Sequence, residues 1–468
     1  MSSQQSAKRI RLTPKRDVDM TQGNIVGQII RFSIPLLLGN LFQQLYNTVD
    51  TWVVGNYVSN EAFSAVGSVA PIVNMLIGAF LGLSSGTSVV ISQYYGAGRE
   101  DKVQDTVHTA ISMTLVLSVV FTLLGLIITP YAIRITDLHP NAIDEATTYL
   151  NIYFSGMIGL MFYNIGSGIL RAIGDSQRPF YFLVICAVLN TVLDLVLVLG
   201  FKMGVEGVAL ATILSQGISA ILVIITLFKT KTCVKIHLAK IKFHFSILKK
   251  ILVVGIPAAL QMAITGFSNI FVQSYINFFD LNSTAPDVMS GWTAYLKIDQ
   301  LLFLPMQSIS LAVTTFVGQN LGKNQVARAK QGVTKALIIA MSVTAIMIIP
   351  VMVFAPYIVA FLNDKKEVVS FGTLFLHYIT PFYLLCCFNQ IYASALRGAG
   401  NSRASMFIMV SSFVVFRQIY LFCMSRIYNE LILIAMSYPA GWLLCSLLTA
   451  IYYHKTTLEK TRLVEDSE

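Results

Sequence analysis

Apolar runs long enough to cross a bilayer, which takes ~20 residues at helical rise, recur from residue 28 to residue 453 with short polar breaks between them. They predict twelve helices, over residues 28–53, 63–94, 104–130, 146–171, 178–200, 206–228, 246–279, 289–319, 331–355, 367–397, 404–425 and 430–453. The first is the most informative. Between Ile29 and Gly55 its oily sequence is interrupted by Asn40, Gln43, Asn47 and Asp50, spaced 3, 4 and 3 apart, so all four share one helical face. A carboxylate at the centre of a span costs ~2.5–3.5 kcal/mol on insertion scales, so Asp50 is expected to face a partner or a water-filled cavity. A buried structural acid is the plain alternative to an ion-binding one.

The two halves repeat. Leu170-Arg-Ala-Ile-Gly-Asp-Ser176 matches Leu396-Arg-Gly-Ala-Gly-Asn-Ser402 at a shift of 226, and Gln93-Tyr-Tyr-Gly96 matches Gln319-Asn-Leu-Gly322 at the same shift. Ile34-Pro35 and Asn47 match Ile256-Pro257 and Asn269 at a shift of 222. Landmarks in one order at nearly one shift indicate duplication of a six-helix unit. Since six is even, both units enter from the same side, as parallel repeats about an axis along the membrane normal. The fold class expected is therefore an all-α polytopic membrane protein of two pseudo-symmetric six-helix lobes, residues 28–229 and 246–454. A basic linker over 230–245 joins them, and polar tails over 1–27 and 455–468 flank them, with residues 1–20 read as disordered. Pro35 and Pro257, at equivalent places in the first helix of each lobe, are the hinge candidates.

Composition agrees and narrows the class. Of 468 residues 55% are hydrophobic and 12% charged, against about a quarter charged in soluble proteins, and the mean hydropathy is +0.69. A soluble multidomain enzyme is excluded. The net charge of +10 is a matter of topology rather than of nucleic acid. Arg134, Lys202, Lys365, Lys366 and Arg426 fall in the loops after odd-numbered spans, and Lys297 and Arg417 fall within spans. The rest of the 33 Lys and Arg gather in the tails and around the loops after even-numbered spans. That asymmetry predicts a multi-pass cell-membrane protein with both termini cytoplasmic. The first apolar run is too long for a signal-peptide core and stays as span 1. None of the six cysteines (186, 233, 386, 387, 423, 445) has CxxC or Cys/His spacing, so neither a disulfide nor a structural metal is expected.

In span 5, Asn190 and Asp194 are four apart on one face of a hydrophobic helix. At 1.5 Å per residue, Asp194 lies beyond the midplane, at the depth of Asp50, of Tyr149 in span 4 and of Thr212 in span 6. Five oxygen-bearing side chains thus converge inside the first lobe. Two carboxylates close together in low dielectric do not both stay ionised cheaply. Such a set either shares a proton or binds a hard cation, here H⁺ or Na⁺. By the same shifts Asp50 corresponds to Val272 and Asp194 to Tyr420, so ion coupling is expected in the first lobe only. Lys297, Asp299 and Arg417 are expected to be structural, with Asp299 paired to Arg417 across helices. The lining of a solute cleft is drawn from Asn40, Gln43, Tyr46, Asn47, Phe154, Met157, Met161, Gln261 and Asn269. Aromatic faces and thioethers there would suit cationic amphiphiles.

The chain resembles the multidrug and toxic compound extrusion (MATE) family, most closely its prokaryotic DinF-like branch. The resemblance rests on Met20-Thr-Gln-Gly-Asn before span 1, Ile34-Pro35 followed by Leu45-Tyr-Asn-Thr-Val-Asp-Thr51, Gln93-Tyr-Tyr-Gly-Ala-Gly98, Leu170-Arg-Ala-Ile-Gly-Asp175 and Leu189-Asn-Thr-Val-Leu-Asp194. It implies a V-shaped, twelve-helix exporter that exchanges small organic cations or amphiphilic drugs for H⁺ or Na⁺ by alternating access. No cofactor is implied beyond the coupling ion, and the partners are solute and bilayer, with the protein acting as a monomer. The resemblance also implies a cation site of an Asp in span 1, an Asn and an Asp in span 5, a Thr in span 6 and a Tyr in span 4. These map onto Asp50, Asn190, Asp194, Thr212 and Tyr149. Another branch uses acids in spans 7 and 10, which this chain lacks. A flippase of a lipid-linked or amphiphilic substrate on the same superfold is the alternative. An intramembrane enzyme is disfavoured, for the spans hold neither HExxH nor GxGD.

Overall fold

The computed structural model describes residues 19–135, 140–282, 287–428 and 430–464. Most of the tail expected over 1–20 lies outside the described residues. Among the described residues there is no strand, and eleven helices, or twelve counting one bent pair, are long and apolar enough to cross a membrane. Spans 1 to 3 are Ile25–Tyr57, Asn60–Gly96 and Glu100–Ile135. Span 4 is the bent pair Pro140–Ser155 and Met157–Ala172, and span 5 runs Gln177–Gly200. Spans 6 to 9 are Val205–Lys229, Phe245–Asn282, Val288–Gly322 and Val326–Val353. A short helix, Ala355–Leu362, precedes spans 10 to 12, at Lys366–Gly398, Ser402–Ile427 and Leu431–Lys455.

Local chemistry sets many of these limits. Asn24 caps span 1, its side chain accepting from Val26 N at 3.0 Å, and Ser59 caps span 2 by accepting from Ala62 N at 3.0 Å. The helices overrun the predicted edges by a few residues because caps lie outside the apolar stretch that marks a span in sequence. Span 4 bends by 49° at Gly156. A Cβ at Gly156 would stand 2.4 Å from the Ile213 side chain, so only glycine permits span 6 to approach the bend this closely. Spans 1 and 7 run through Pro35 and Pro257 without interruption.

The lobes interlock at the end that carries the basic loops. The first turns of span 1 (Ile25, Ile29, Phe32, Leu36) are buried in the core of the second lobe, with Ala312, Phe316 and Leu337. Reciprocally, Ile247 and Ile251 of span 7 are buried with Val90, Val107 and Leu227 of the first lobe. The linker follows them, since Val234 and Ile236 belong to the same cluster.

Where spans 2 and 8 end, the two spans cross backbone against backbone. A Cβ on Gly96 would lie 2.0 Å from the Gln319 carbonyl oxygen, and one on Gly322 would lie 2.0 Å from that of Gln93. Gln93 Nε2 donates to the Gly398 carbonyl at 2.9 Å, and Gln319 Nε2 donates to the Ala172 carbonyl at 2.8 Å. Both glutamines are fully buried. The tails complete them. Met20 N donates to Gln319 Oε1 at 3.3 Å, and Leu463 N donates to Gln93 Oε1 at 2.7 Å. The stretch after span 12 is therefore folded against the lobes up to Val464, with Leu458 buried. Gln319→Leu leaves the Ala172 carbonyl and the Met20 amide buried without a partner, which costs about 1–3 kcal/mol per group. We expect a clearly lower melting midpoint for that variant, measured on the purified protein in detergent.

Candidate ion and solute sites

Span 5 packs between spans 1 and 6, which brings the first-lobe polar residues together. Its α-helix ends at Asp194, and Leu195–Gly200 continue as a wider π-helical turn closed by Phe201 N donating to the Val196 carbonyl at 3.0 Å. Such turns shift the helical register locally and are frequent at functional sites. The Asp50 and Asp194 carboxyls stand within hydrogen-bonding reach of each other, with the Thr212 hydroxyl beside Asp50. Tyr149 is close enough to feel both carboxylates, and its ring stacks on Tyr153 at 6.2 Å between centroids. Asn190, Asp194, Thr212 and Tyr149 are buried, and Asp50 is half-buried.

These groups are short of donors. Both oxygens of Asp194, Asp50 Oδ1 and both polar atoms of the Asn190 amide are buried without a hydrogen-bond partner in the protein. Thr212 spends its proton on the Val208 carbonyl at 3.0 Å, which leaves its oxygen lone pairs for a cation. Two facing carboxylates do not bond to each other unless a proton lies between them, and a buried anion with no donor costs several kcal/mol. The donor set is all oxygen apart from the amide nitrogen, so it fits a shared proton or a small hard cation. Among the described residues no group of three or more His, Cys, Asp or Glu gathers to hold a metal ion.

The structure corrects two expectations, one in each lobe. Asp299 does not pair with Arg417. It accepts from the Tyr295 hydroxyl at 3.2 Å and from the Tyr383 hydroxyl. Arg417 donates to the Phe413 carbonyl at 2.7 Å and to Ser268 Oγ at 3.1 Å, and its guanidinium lies over the Tyr438 ring at 4.8 Å. Phe413 sits in a second π-helical turn, Ser411–Phe416, and Arg417 is the residue that follows it. Each charge found neutral partners nearer than the other charge. Phe154, Met157 and Met161 are core rather than cleft, buried with Leu150 and Val205 in the first lobe.

The remaining cleft candidates divide. Tyr46 is buried beside Gln43. Gln261 is buried in the second lobe, where Ser405 Oγ donates to its Oε1 at 3.4 Å. Asn40 reaches across the lobes to Ser308 Oγ at 3.5 Å, while Asn47 and Asn269 are exposed. Sequence reasoning missed a cavity of about 370 Å³ between the lobes, lined by Thr48, Thr51, Trp52, Asn56, Phe63 and Lys297 among others. Its signal was present in the chain. Thr48 and Thr51 flank Asp50 on span 1, and Asn56 lies six residues further along the same helix.

Two interlocked six-helix lobes with a buried carboxylate pair beside an interlobe cavity make the architecture of a polytopic membrane transporter. The model of the MatE family matches residues 35–196 and 257–422, once in each lobe, and the chain belongs to that family of transporters. The probable multidrug resistance protein YpnP of Bacillus subtilis (strain 168) is 30% identical over 400 residues, which is 85% of this chain and 88% of the relative. A MOP superfamily transporter from Pyrococcus furiosus Vc1 (DSM3638) superposes with a TM-score of 0.88 at 25% identity, over 94% of this chain and 98% of that one. A MATE crystal structure in the straight conformation gives 0.86 at 26% identity, over 94% and 98%.

If the carboxylate pair holds a cation, withdrawing protons in Na⁺-free buffer leaves two buried anions face to face. The melting midpoint of the purified protein should then fall as pH rises, and the Asp50→Asn/Asp194→Asn double variant should lose that slope. Added Na⁺ restores stability at high pH if the site takes Na⁺, and leaves it unchanged if the site takes only H⁺.

Proposed function

We propose that this protein is a secondary active multidrug exporter that exchanges drug-like amphiphiles for H⁺ or Na⁺ across the cell membrane, with coupling at Asp50 and Asp194. The observation that carries the reading is the buried, donor-poor carboxylate pair on span 1 and span 5, beside an interlobe cavity lined by the same span 1. Family membership and the multidrug description of the Bacillus relative support efflux as the activity. With the basic loops facing the cytoplasm, the crossed glutamines close the inner end and the cavity belongs to the outer half, an outward-open arrangement.

Span 1 is then the coupling element. Its outer half presents Asp50 to span 5 and Thr48, Thr51 and Trp52 to the cavity. A cation entering from outside neutralises the pair and changes how span 1 packs. Pro35 lacks the backbone N–H that would tie it to the preceding turn, so span 1 bends there most readily. Solute leaves outward as the ion binds, and a new solute is taken from inside once the ion has left. The membrane potential contributes ~2.3 kcal/mol per elementary charge per 100 mV to the ion's inward step.

Membrane vesicles with one imposed gradient at a time test this reading. Wild-type vesicles should move a fluorescent amphiphile against its gradient with either a pH or a Na⁺ gradient, and Asp50→Asn vesicles should fall to the rate of vesicles without the protein. Full ion-driven transport by Asp50→Asn would remove coupling from this site.

A further inference from the structure

The interlobe cavity carries a charge that neither the ion site nor the packing uses. Lys297 lies nine residues into span 8, counted from Val288, about 13 Å along the helix. A lysine within a membrane span ordinarily lifts its ammonium toward the headgroups or finds a carboxylate. Lys297 finds no carboxylate among the described residues. It is exposed, forms no ion pair, and lines the cavity opposite Thr48, Thr51 and Asn56 of span 1. The nearest acid along its own helix, Asp299, is two residues on and so points to another side, where Tyr295 and Tyr383 hold it. Asp50 is turned into the first lobe toward Asp194. Lys297 is the one charged side chain in the cavity's described lining.

We propose that Lys297 selects the charge of the transported solute, favouring aromatic amphiphiles that bear an anionic group over permanent organic cations. This rests on the reading of the cavity as the solute path. The chemistry of the lining fits such a guest. Trp52 and Phe63 give the lining an aromatic component, Asn56 keeps one amide hydrogen beyond its bond to the Trp52 carbonyl, and the ammonium supplies the counter-charge. A permanent cation would stand beside an unneutralised ammonium. One unit charge at such range, in a medium of intermediate dielectric, changes relative affinity about tenfold or more. The electrical balance points the same way, because sending an anion out and admitting a cation are both favoured by an inside-negative potential.

Two xanthene dyes of opposite charge, fluorescein and rhodamine 123, separate charge from shape. Their affinities for the purified protein in lipid nanodiscs are read by fluorescence anisotropy, with no ion gradient needed. Wild type should bind fluorescein at least about tenfold more tightly than rhodamine 123. Lys297→Gln should bring the two affinities together, and Lys297→Glu should reverse their order. Lys297 is exposed, so an unchanged melting midpoint is expected for both variants and reports that they fold. A ratio unaffected by either substitution, a wild type that prefers rhodamine 123, or no binding of either dye overturns the proposal. The binding ratio judges Lys297 alone, whereas loss or retention of transport in Asp50→Asn vesicles judges the exporter reading.

Discussion

Gln93 and Gln319 each spend their amide nitrogen on a carbonyl of the opposite lobe, at the ends of span 10 and span 4. Those carbonyls are among the groups that every helix leaves without an intrahelical partner at its C-terminus. In a soluble protein water would take them, but here the helix ends are packed under the other lobe. Duplication solves the problem in one stroke. Gly398 is Ala172 shifted by 226, and Gln319 is Gln93 shifted by 226. A single ancestral contact between a span 2 glutamine and a span 4 carbonyl, repeated and crossed, gives two equivalent bonds about the pseudo-twofold axis. The glycines at 96 and 322 make the crossing sterically possible. Met20 and Leu463 then fill the acceptor end of each glutamine, so the structured ends of the chain are tied into the joint as well.

That joint decides what the remainder of the molecule can do. In this arrangement the lobes are joined at the basic end and parted at the other, where the cavity between spans 1, 2 and 8 lies. The scaffold is symmetric but its chemistry is not. Where the first lobe has Asp50, the second has Val272, fully buried among Trp292 and Tyr295. The buried charges of the second lobe, Asp299 and Arg417, have hydroxyl and carbonyl partners, and the donor-poor acids of the first lobe are left as the groups that need something brought to them.

Much of this was legible in the sequence, because a bilayer imposes a strict solvent on every span. Apolar length gave the helices, and polar residues at helical spacing picked out Asp50, Asn190 and Asp194, which the structure brings together. The duplicated landmarks were equally visible, but their meaning was not. Nothing in a linear shift says that Gln93 reaches the partner of its own counterpart's target. Phe154, Met157 and Met161 show the opposite failure. Large apolar side chains at helical spacing are consistent with a cleft and with a core, and only the approach of neighbouring helices, here enforced by Gly156, distinguishes them. The Asp299–Arg417 pairing failed because opposite formal charges were weighed without their neutral competitors. Tyrosine hydroxyls lay on the same and the adjoining helix, and a π-turn carbonyl lay four residues from the arginine.

Lys297 and Asp299 bring these strands into one helix. Placed three or four residues apart, the two would have met on one face and cancelled. At a spacing of two they are carried to different sides, one into the interior of the second lobe and the other into the cavity. The tyrosines that hold Asp299 therefore do more than satisfy a buried acid. By keeping the carboxylate away from the ammonium they leave Lys297 as the one charge in the cavity's described lining, a few residues along span 1 from Asp50. On the proposed reading cation and solute are sorted by sign as well as by place, the carboxylates of the first lobe for one and the lysine of the second for the other, and the helix between them is the one that carries Pro35.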